Sequence, residues 1–410
     1  MISLVGKYAD AMVYTDIVEN NAISHIMSML NQPYMKGTKV RIMPDCHDGK
    51  GCVIGTTIDF SNQEKKGVCP NIVGVDIGCG VLAIKLKENS IDLPKLDSVV
   101  RKYVDIDRKD EHSRVSLLGL ENLWCQKGNV KAVRLGFGTV GGGNHFIEVG
   151  HSVQTNQLYL LIHSGSRNLG VQVAKFYQDL AYEEAIVRNN GGTYYDKVQA
   201  VKATGLSGKD LDKAIKSIQY PKIGDVPYEL AYVTGANFKH YLHDMRICQE
   251  YASENRRTIA DIIIKKLKLH EIESFDTIHN YIDTDGKCII RKGAVRAEAG
   301  DQLIIPLNMR DGALICKGLG NPDWNYSAPH GAGRLYSRAD CKESLSVKTY
   351  KEQMAGIFST CIGRDTIDES PMAYKDAQSI ISAVSPTVDI VDRLKPIYNY
   401  KGGSSEEKRS

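Results

Sequence analysis

Apolar residues recur along this chain with two different periods. Short runs rich in branched side chains, Val40–Met43, Cys52–Thr57, Ile72–Ile77 and Val81–Leu86, read as strands parted by glycine-rich turns. Leu158–Ile162, Ile289–Ile290, Gln302–Pro306 and Ala313–Lys317 predict further strands. From Asn168 to about Val187, and from Asn237 to Leu267, apolar positions fall three and four apart, which predicts two long helices. The polar stretch 188–227 between them, carrying Asn189-Asn190-Gly191-Gly192, reads as a peripheral insertion. No repeat of about 20 to 50 residues is present, so a solenoid or propeller is excluded.

Residues able to do chemistry are spread from position 45 to 401 without a linker-like break. That pattern predicts one α+β domain over residues 1–401, its site assembled from many loops. Residues 402–410, a Gly/Ser and charged run, are expected to form a flexible tail.

Composition adds little. Of 410 residues, 42% are hydrophobic and 25% charged, as in a soluble globular protein, and a formal charge of +3 neither demands nor excludes an RNA partner. The first residues lack the basic stretch and apolar core of a signal peptide. Asp261–Leu267, with its lysines, is too short and too charged to cross a bilayer. Ten cysteines form no Cys-x-x-Cys pair, and Cys288 and Cys316 sit in apolar runs, as buried reduced thiols do.

Gly136-Phe-Gly138-Thr-Val-Gly141 matches the dinucleotide-binding pattern letter for letter. That motif needs a helix to begin there, so that its N-terminus meets the pyrophosphate. The next residues, through Phe146-Ile147-Glu148-Val149, alternate like a strand, so the match is coincidental.

Four segments place a potential metal ligand beside glycine or a turn: Asp76-Ile-Gly-Cys79, Asn144-His145, His163-Ser-Gly-Ser-Arg167 and Asp276-Thr-Ile-His279-Asn280. One carboxylate, one thiolate and three imidazoles suffice for two ions if the thiolate bridges them. Singly, such residues are more often structural, and ligand type alone would argue for zinc. His240 and His243, three apart on a helical pattern, are better explained as flanking a core stripe. The densest signal is His330-Gly-Ala-Gly333-Arg334-Leu-Tyr-Ser337-Arg338. A helix starting there would set both arginines on one face, and a histidine beside phosphate-binding arginines can serve as acid, ligand or nucleophile. The bland alternative is a glycine-rich turn before a solvated basic helix.

Together these segments resemble the RtcB family of RNA ligases. The resemblance runs from about residue 40 to Lys401, through MPDCHDGKG (43–51), VGVDIGCG (73–80), GGGNHFIE (141–148) and HSGSRNLG (163–170). It continues through DMRICQEYASENR (244–256), HN (279–280), RKGAVRA (291–297), HGAGRLYSR (330–338) and DESPMAYKD (368–376). It implies an α+β, single-domain RtcB-like fold with a central active-site cleft built from loops of mixed sheets. It further implies two manganese ions, bridged by Cys79 and held by Asp76, His145, His163 and His279. His330 would become guanylylated by GTP. Asn144, Phe146, Glu148, Asn280, Tyr374 and Lys401 would form the nucleotide pocket, with Glu148 reading the base edge, and Arg167, Arg334 and Arg338 would hold RNA phosphates.

The implied reaction joins an RNA 3′-phosphate or 2′,3′-cyclic phosphate to a 5′-hydroxyl through histidine–GMP and an activated 3′ end. Expected partners are broken or spliced RNA ends, transfer RNA among them, and an accessory activating protein; the chain is expected to be a cytoplasmic monomer without membrane contact. The competing reading is a dinuclear metal-dependent phosphoesterase acting on RNA ends. Three departures from the family pattern stand out: Arg310, Asp311 and Ala313 in a loop usually made of Gly-Ser-Met-Gly and a serine that contacts the nucleotide phosphates; Ala328-Pro329 before His330; and the residues beyond the usual Lys401-Gly402 end.

Overall fold

In a computed structural model, residues 1–63, 66–105, 111–125, 130–218 and 227–402 are described. The expected tail falls almost wholly outside them, as do residues 219–226 of the expected insertion. The architecture is α+β and rests on two sheets. A seven-stranded antiparallel sheet runs, in spatial order, Glu271–Ile278, Gly80–Leu86, Leu158–Ser164, Phe146–Ser152, Val388–Lys401, Gly312–Gly318 and Gln302–Asn308. A six-stranded mixed sheet contains Lys39–His47 and Ile54–Asp59 near its middle.

The predicted helices appear as Arg167–Asn190 and Gly235–Leu267. The second lies across the large sheet, burying Ile259, Ala260 and Ile263 against Leu82, Ile84, Ile147 and Ile162. Within the stretch 188–227, helices Tyr194–Lys202 and Gly208–Lys216 pack on each other and bury no residue. Among the described residues no helix is long and apolar enough to cross a membrane.

One expected strand is absent. Ile72–Ile77 alternates in sequence, yet Pro70 opens a short helix, Pro70–Val73, and a loop comes after it. Gly74 and Gly78, at φ +105° and +70°, break extended pairing there. The loop runs beside the long helix, where a Cβ on Gly78 would stand 2.8 Å from the Cα of Gln249. The dinucleotide-like segment also behaves as its context requires: a helix, Val130–Gly136, ends at it, and Phe146–Ser152 is the next strand.

Candidate functional site

Sheet register does what sequence spacing cannot. His279 comes immediately after its strand, Cys79 and His145 immediately precede theirs, and His163 is the next-to-last residue of its own. These four strands are adjacent in the sheet, and the pairings Gly80↔Ile278, Gly80↔Ser164 and Phe146↔His163 bring their ends level. Residues 66 and 84 positions apart in sequence therefore meet. Cys79 Sγ lies 3.4 Å from His145 Nε2 and 3.3 Å from His163 Nε2. His145 Nε2 is also 2.9 Å from Asp76 Oδ2. The rings of His145, His163, His279 and His330 form a row with centroids 5.2, 5.4 and 4.8 Å apart.

The atoms behind this row set its chemistry. His145 Nδ1 faces the Val140 carbonyl at 2.9 Å and His163 Nδ1 the Asn144 carbonyl at 3.3 Å. At His163 a neutral ring donating from Nδ1 leaves a lone pair on Nε2, which is what a metal ion takes. Burial, then the neighbouring histidine charges, push His163 and His279 well below the usual imidazole range, so both rings stay neutral. Burial and the Asp76 carboxylate push the Cys79 thiol well above its usual range. Burial alone would raise Asp76, but its hydrogen bond to His145 and the His145 and Arg167 charges bring it below. A buried thiol, carboxylate and imidazole lone pairs converging on one another suit a shared divalent cation, which would draw off the thiol proton. The donor set fits a metal.

Sequence reasoning missed the residues that hold this cluster. Fully buried Arg256 donates to the carbonyls of Gly78 at 3.0 Å and Ser164 at 2.7 Å, one beside Cys79 and one beside His163. Its other nitrogens clasp Asp276, which is therefore an arginine partner. Asn255, also buried, fixes Gly138, Thr139 and Ser164. Both lie in the segment DMRICQEYASENR, and a polar or charged residue on the buried side of a helix is the signal that could have marked them. His240 and His243 remain apart from the site: His240 stacks on Trp124, and His243 faces Asp244.

His330 closes the row. Its Nδ1 meets Asp45 Oδ2 at 2.7 Å, and the same oxygen accepts the backbone N–H groups of His330 and Gly331. Gly333, at φ +75°, is needed for this approach, because a Cβ there would stand 2.2 Å from the Asp45 carbonyl oxygen. Buried Lys375 fastens the same strand end through the carbonyls of Pro44 and Cys46. Asp45 was thus a missed positioning group inside the segment MPDCHDGKG. A carboxylate on Nδ1 orients the ring and leaves Nε2 free to act.

A cavity of about 950 Å³ joins these parts. All the anticipated site residues line it except His145, which stands behind Asp76 and Cys79, and Arg167. The Arg167 guanidinium lies over Gly141, its Nε without a hydrogen-bond partner and its backbone at φ +56°. Asn280 lines the cavity while both ends of its amide hold backbone, Nδ2 to the Asp76 carbonyl and Oδ1 to Gly293 N–H. Burial pushes Glu148 up to about 8, against the Asn399 hydrogen bond and the Lys401 charge.

The two arginines converge, though not through one helix face. The helix begins only at Arg338, capped by Ser337, while Arg334 lies in a bridge to Tyr374. They meet on Asp368 and Glu369. Glu369 also accepts from Tyr374 Oη at 2.6 Å and Lys401 Nζ at 3.1 Å. Burial would raise Glu369, but Lys401 and both arginines bring it to about 2. In the loop over 307–313, Asn308 Oδ1 accepts from the N–H groups of Arg310 and Asp311, and the two charges pair with each other at 2.8 Å. The loop is closed on itself. Pro329 lies in a short strand paired with Ala294–Arg296.

Comparison with known proteins agrees over nearly the whole chain. A family model described as tRNA-splicing ligase RtcB matches residues 27–117 and 105–402. The RNA-splicing ligase RtcB of Escherichia coli is 27% identical, covering 94% of this chain and 95% of that protein. The tRNA-splicing ligase RtcB of Aeropyrum pernix is 29% identical, covering 88% and 87%.

Proposed function

The chain belongs to the RtcB family, and from that premise we propose that it is an RNA ligase using GTP and manganese. It joins RNA 3′-phosphate or 2′,3′-cyclic phosphate ends to 5′-hydroxyl ends. One observation carries this reading beyond a metal-dependent hydrolase: His330, held on Asp45 at the end of the imidazole row and inside the shared cavity. Manganese, when bound by Asp76, Cys79, His145, His163 and His279, supplies positive charge beside the attacked phosphate. His330 Nε2 forms a bond to the α-phosphorus of GTP as the bond to the β-phosphate oxygen breaks and pyrophosphate leaves. Asp45 keeps the proton on Nδ1 and stabilises the ring as charge develops.

Water first opens a 2′,3′-cyclic end to a 3′-phosphate, breaking the bond from phosphorus to the 2′-oxygen. The GMP group then passes from His330 to the RNA 3′-phosphate, and the 5′-hydroxyl displaces GMP to form the new phosphodiester. Arg167, Arg334 and Arg338 hold the RNA phosphates, and Asn144, Phe146, Glu148, Asn280, Tyr374 and Lys401 enclose the nucleotide. Ten free cysteines and the need for a thiolate at Cys79 favour a reducing, cytoplasmic setting. Incubation with α-labelled GTP and manganese, then denaturing electrophoresis, tests the reading. An acid-labile, base-stable adduct absent from His330→Ala is expected. A metal-loaded protein that forms no adduct yet opens cyclic phosphate ends would replace the ligase with the phosphoesterase.

A further inference from the structure

Two side-chain oxygens are buried beside each other in the cavity without a hydrogen-bond partner. Glu148 and Asn399 face each other across neighbouring strands, Phe146–Ser152 and Val388–Lys401, as directly paired residues. They are 3% and 1% exposed, and both line the cavity. Asn399 Nδ2 donates to Glu148 Oε2 at 2.8 Å, which fixes the amide with its oxygen on the other side. Glu148 Oε1 and Asn399 Oδ1 then have no hydrogen-bond partner. A buried oxygen without a hydrogen-bond partner is costly, so this pair in a cavity calls for a ligand edge carrying adjacent donors, to which Glu148 would present its ionised form.

Side chains two apart on a strand share a face, so Lys401 stands next to Asn399 as Phe146 stands next to Glu148. The wall therefore offers an ammonium donor and two acceptor oxygens. Among the nucleobases only guanine presents the complement: a carbonyl acceptor, then N1–H, then a 2-amino group with two N–H donors. Adenine and cytosine have a ring-nitrogen acceptor where the N1–H is needed. Hypoxanthine keeps the carbonyl and N1–H but lacks the amino group.

We propose that Asn399 is a specificity-determining residue whose Oδ1 receives the 2-amino group of guanine, beside Glu148. The assignment rests on the ligase reading and deepens it. It makes the pocket selective for purine nucleotides aminated at carbon 2, because a site built around a donor penalises the analogue that lacks it.

The test is labelling by α-labelled GTP and by α-labelled inosine triphosphate, which differ only in that amino group, with manganese present. The wild-type protein should prefer GTP by roughly 10- to 100-fold in rate at limiting nucleotide. In Asn399→Ala the preference should fall about tenfold, through GTP rather than the inosine nucleotide. Equal labelling of the wild-type protein by both nucleotides overturns the assignment and leaves the ligase reading standing, and needs no variant to fold. An unchanged preference in a folded Asn399→Ala overturns it too. No adduct with either nucleotide in the metal-loaded wild-type protein overturns the ligase reading, and this assignment with it.

Discussion

The two ends of the cavity are built on opposite plans. At the imidazole end, the carbonyls of Val140 and Asn144 anchor the rings of His145 and His163 from behind, Arg256 holds the backbone beside Cys79 and His163, and the reactive atoms in front face one another. At the arginine end the reactive atoms are already engaged: Arg334, Arg338, Tyr374 and Lys401 all close on Glu369. The first end is preorganised and, on the proposed reading, would take a cation without rearranging. On the same reading, the second would have to exchange partners before an RNA phosphate could use its arginines. Charge explains the difference, because neutral imidazoles can wait unpaired in a buried site whereas guanidinium groups cannot.

The hardest test of that contrast is at Cys79. Cys79→Ala removes the one sulfur that touches both His145 and His163, and should cost at least roughly 10²-fold in metal affinity, with adduct formation lost in step. Metal content by mass spectrometry and labelling with GTP would be read on the same sample. Retention of the wild-type metal content would mean the imidazole end is a packed histidine cluster and not a metal centre.

Much of this end was written in the sequence only as separate fragments. Asp76, Cys79, His145 and His163 could each be picked out beside a turn, but nothing in their spacing joins positions 79 and 163. The antiparallel register Val81↔His163 does so, and register is a tertiary fact. Hydrophobic patterning located strands such as Gly80–Leu86 and Leu158–Ser164, missed Glu271–Ile278 and Val388–Lys401, and failed at Ile72–Ile77, where Pro70, Gly74 and Gly78 override it. Positioning groups were the least readable. Asp45, Arg256 and Glu369 lay inside recognisable motifs, yet their roles depend on partners 285, 178 and 32 positions away.

At the arginine end the informative change is Glu369→Gln, which keeps the shape and removes the charge. With its carboxyl held near 2, Glu369 is fully ionised at neutral pH. Its stabilising contribution is present above the ordinary carboxyl range and fades as pH falls towards 2. The variant takes the buried carboxylate from Arg334 and Lys401 and should lose about 3–5 kcal/mol, or several degrees in Tm. Inorganic phosphate should restore much of that loss in the variant and raise the wild-type Tm less. Equal phosphate responses would show that the arginines are structural and never exchange partners.

Glu148 sharpens the comparison on a smaller scale, since it is the one acid of the cavity that burial leaves protonated. Its carboxyl is pushed up to about 8, so in the empty protein it carries a proton at neutral pH. The fold's preference for that neutral form is fully present below the ordinary carboxyl range and is lost as pH rises through about 8, so the empty protein loses stability over that window. On the proposed reading guanine N1–H is donated to Glu148 Oε1, which needs the carboxylate, so binding must expel the proton, at about 1.4 kcal/mol for each pH unit below 8. Guanine-nucleotide affinity should therefore rise about tenfold per unit between pH 6.5 and 8 and then level off. Glu148→Gln should bind more weakly and lose this slope, while any dependence shared through the metal ligands stays common to both proteins. Calorimetric titration of GDP at fixed manganese, in two buffers of different ionisation enthalpy, would measure affinity and proton release together. Parallel pH slopes in the two proteins would mean that Glu148 keeps its proton when the nucleotide is bound, so the base would be read by a carboxylic acid and the contrast with Glu369 would lie in position alone.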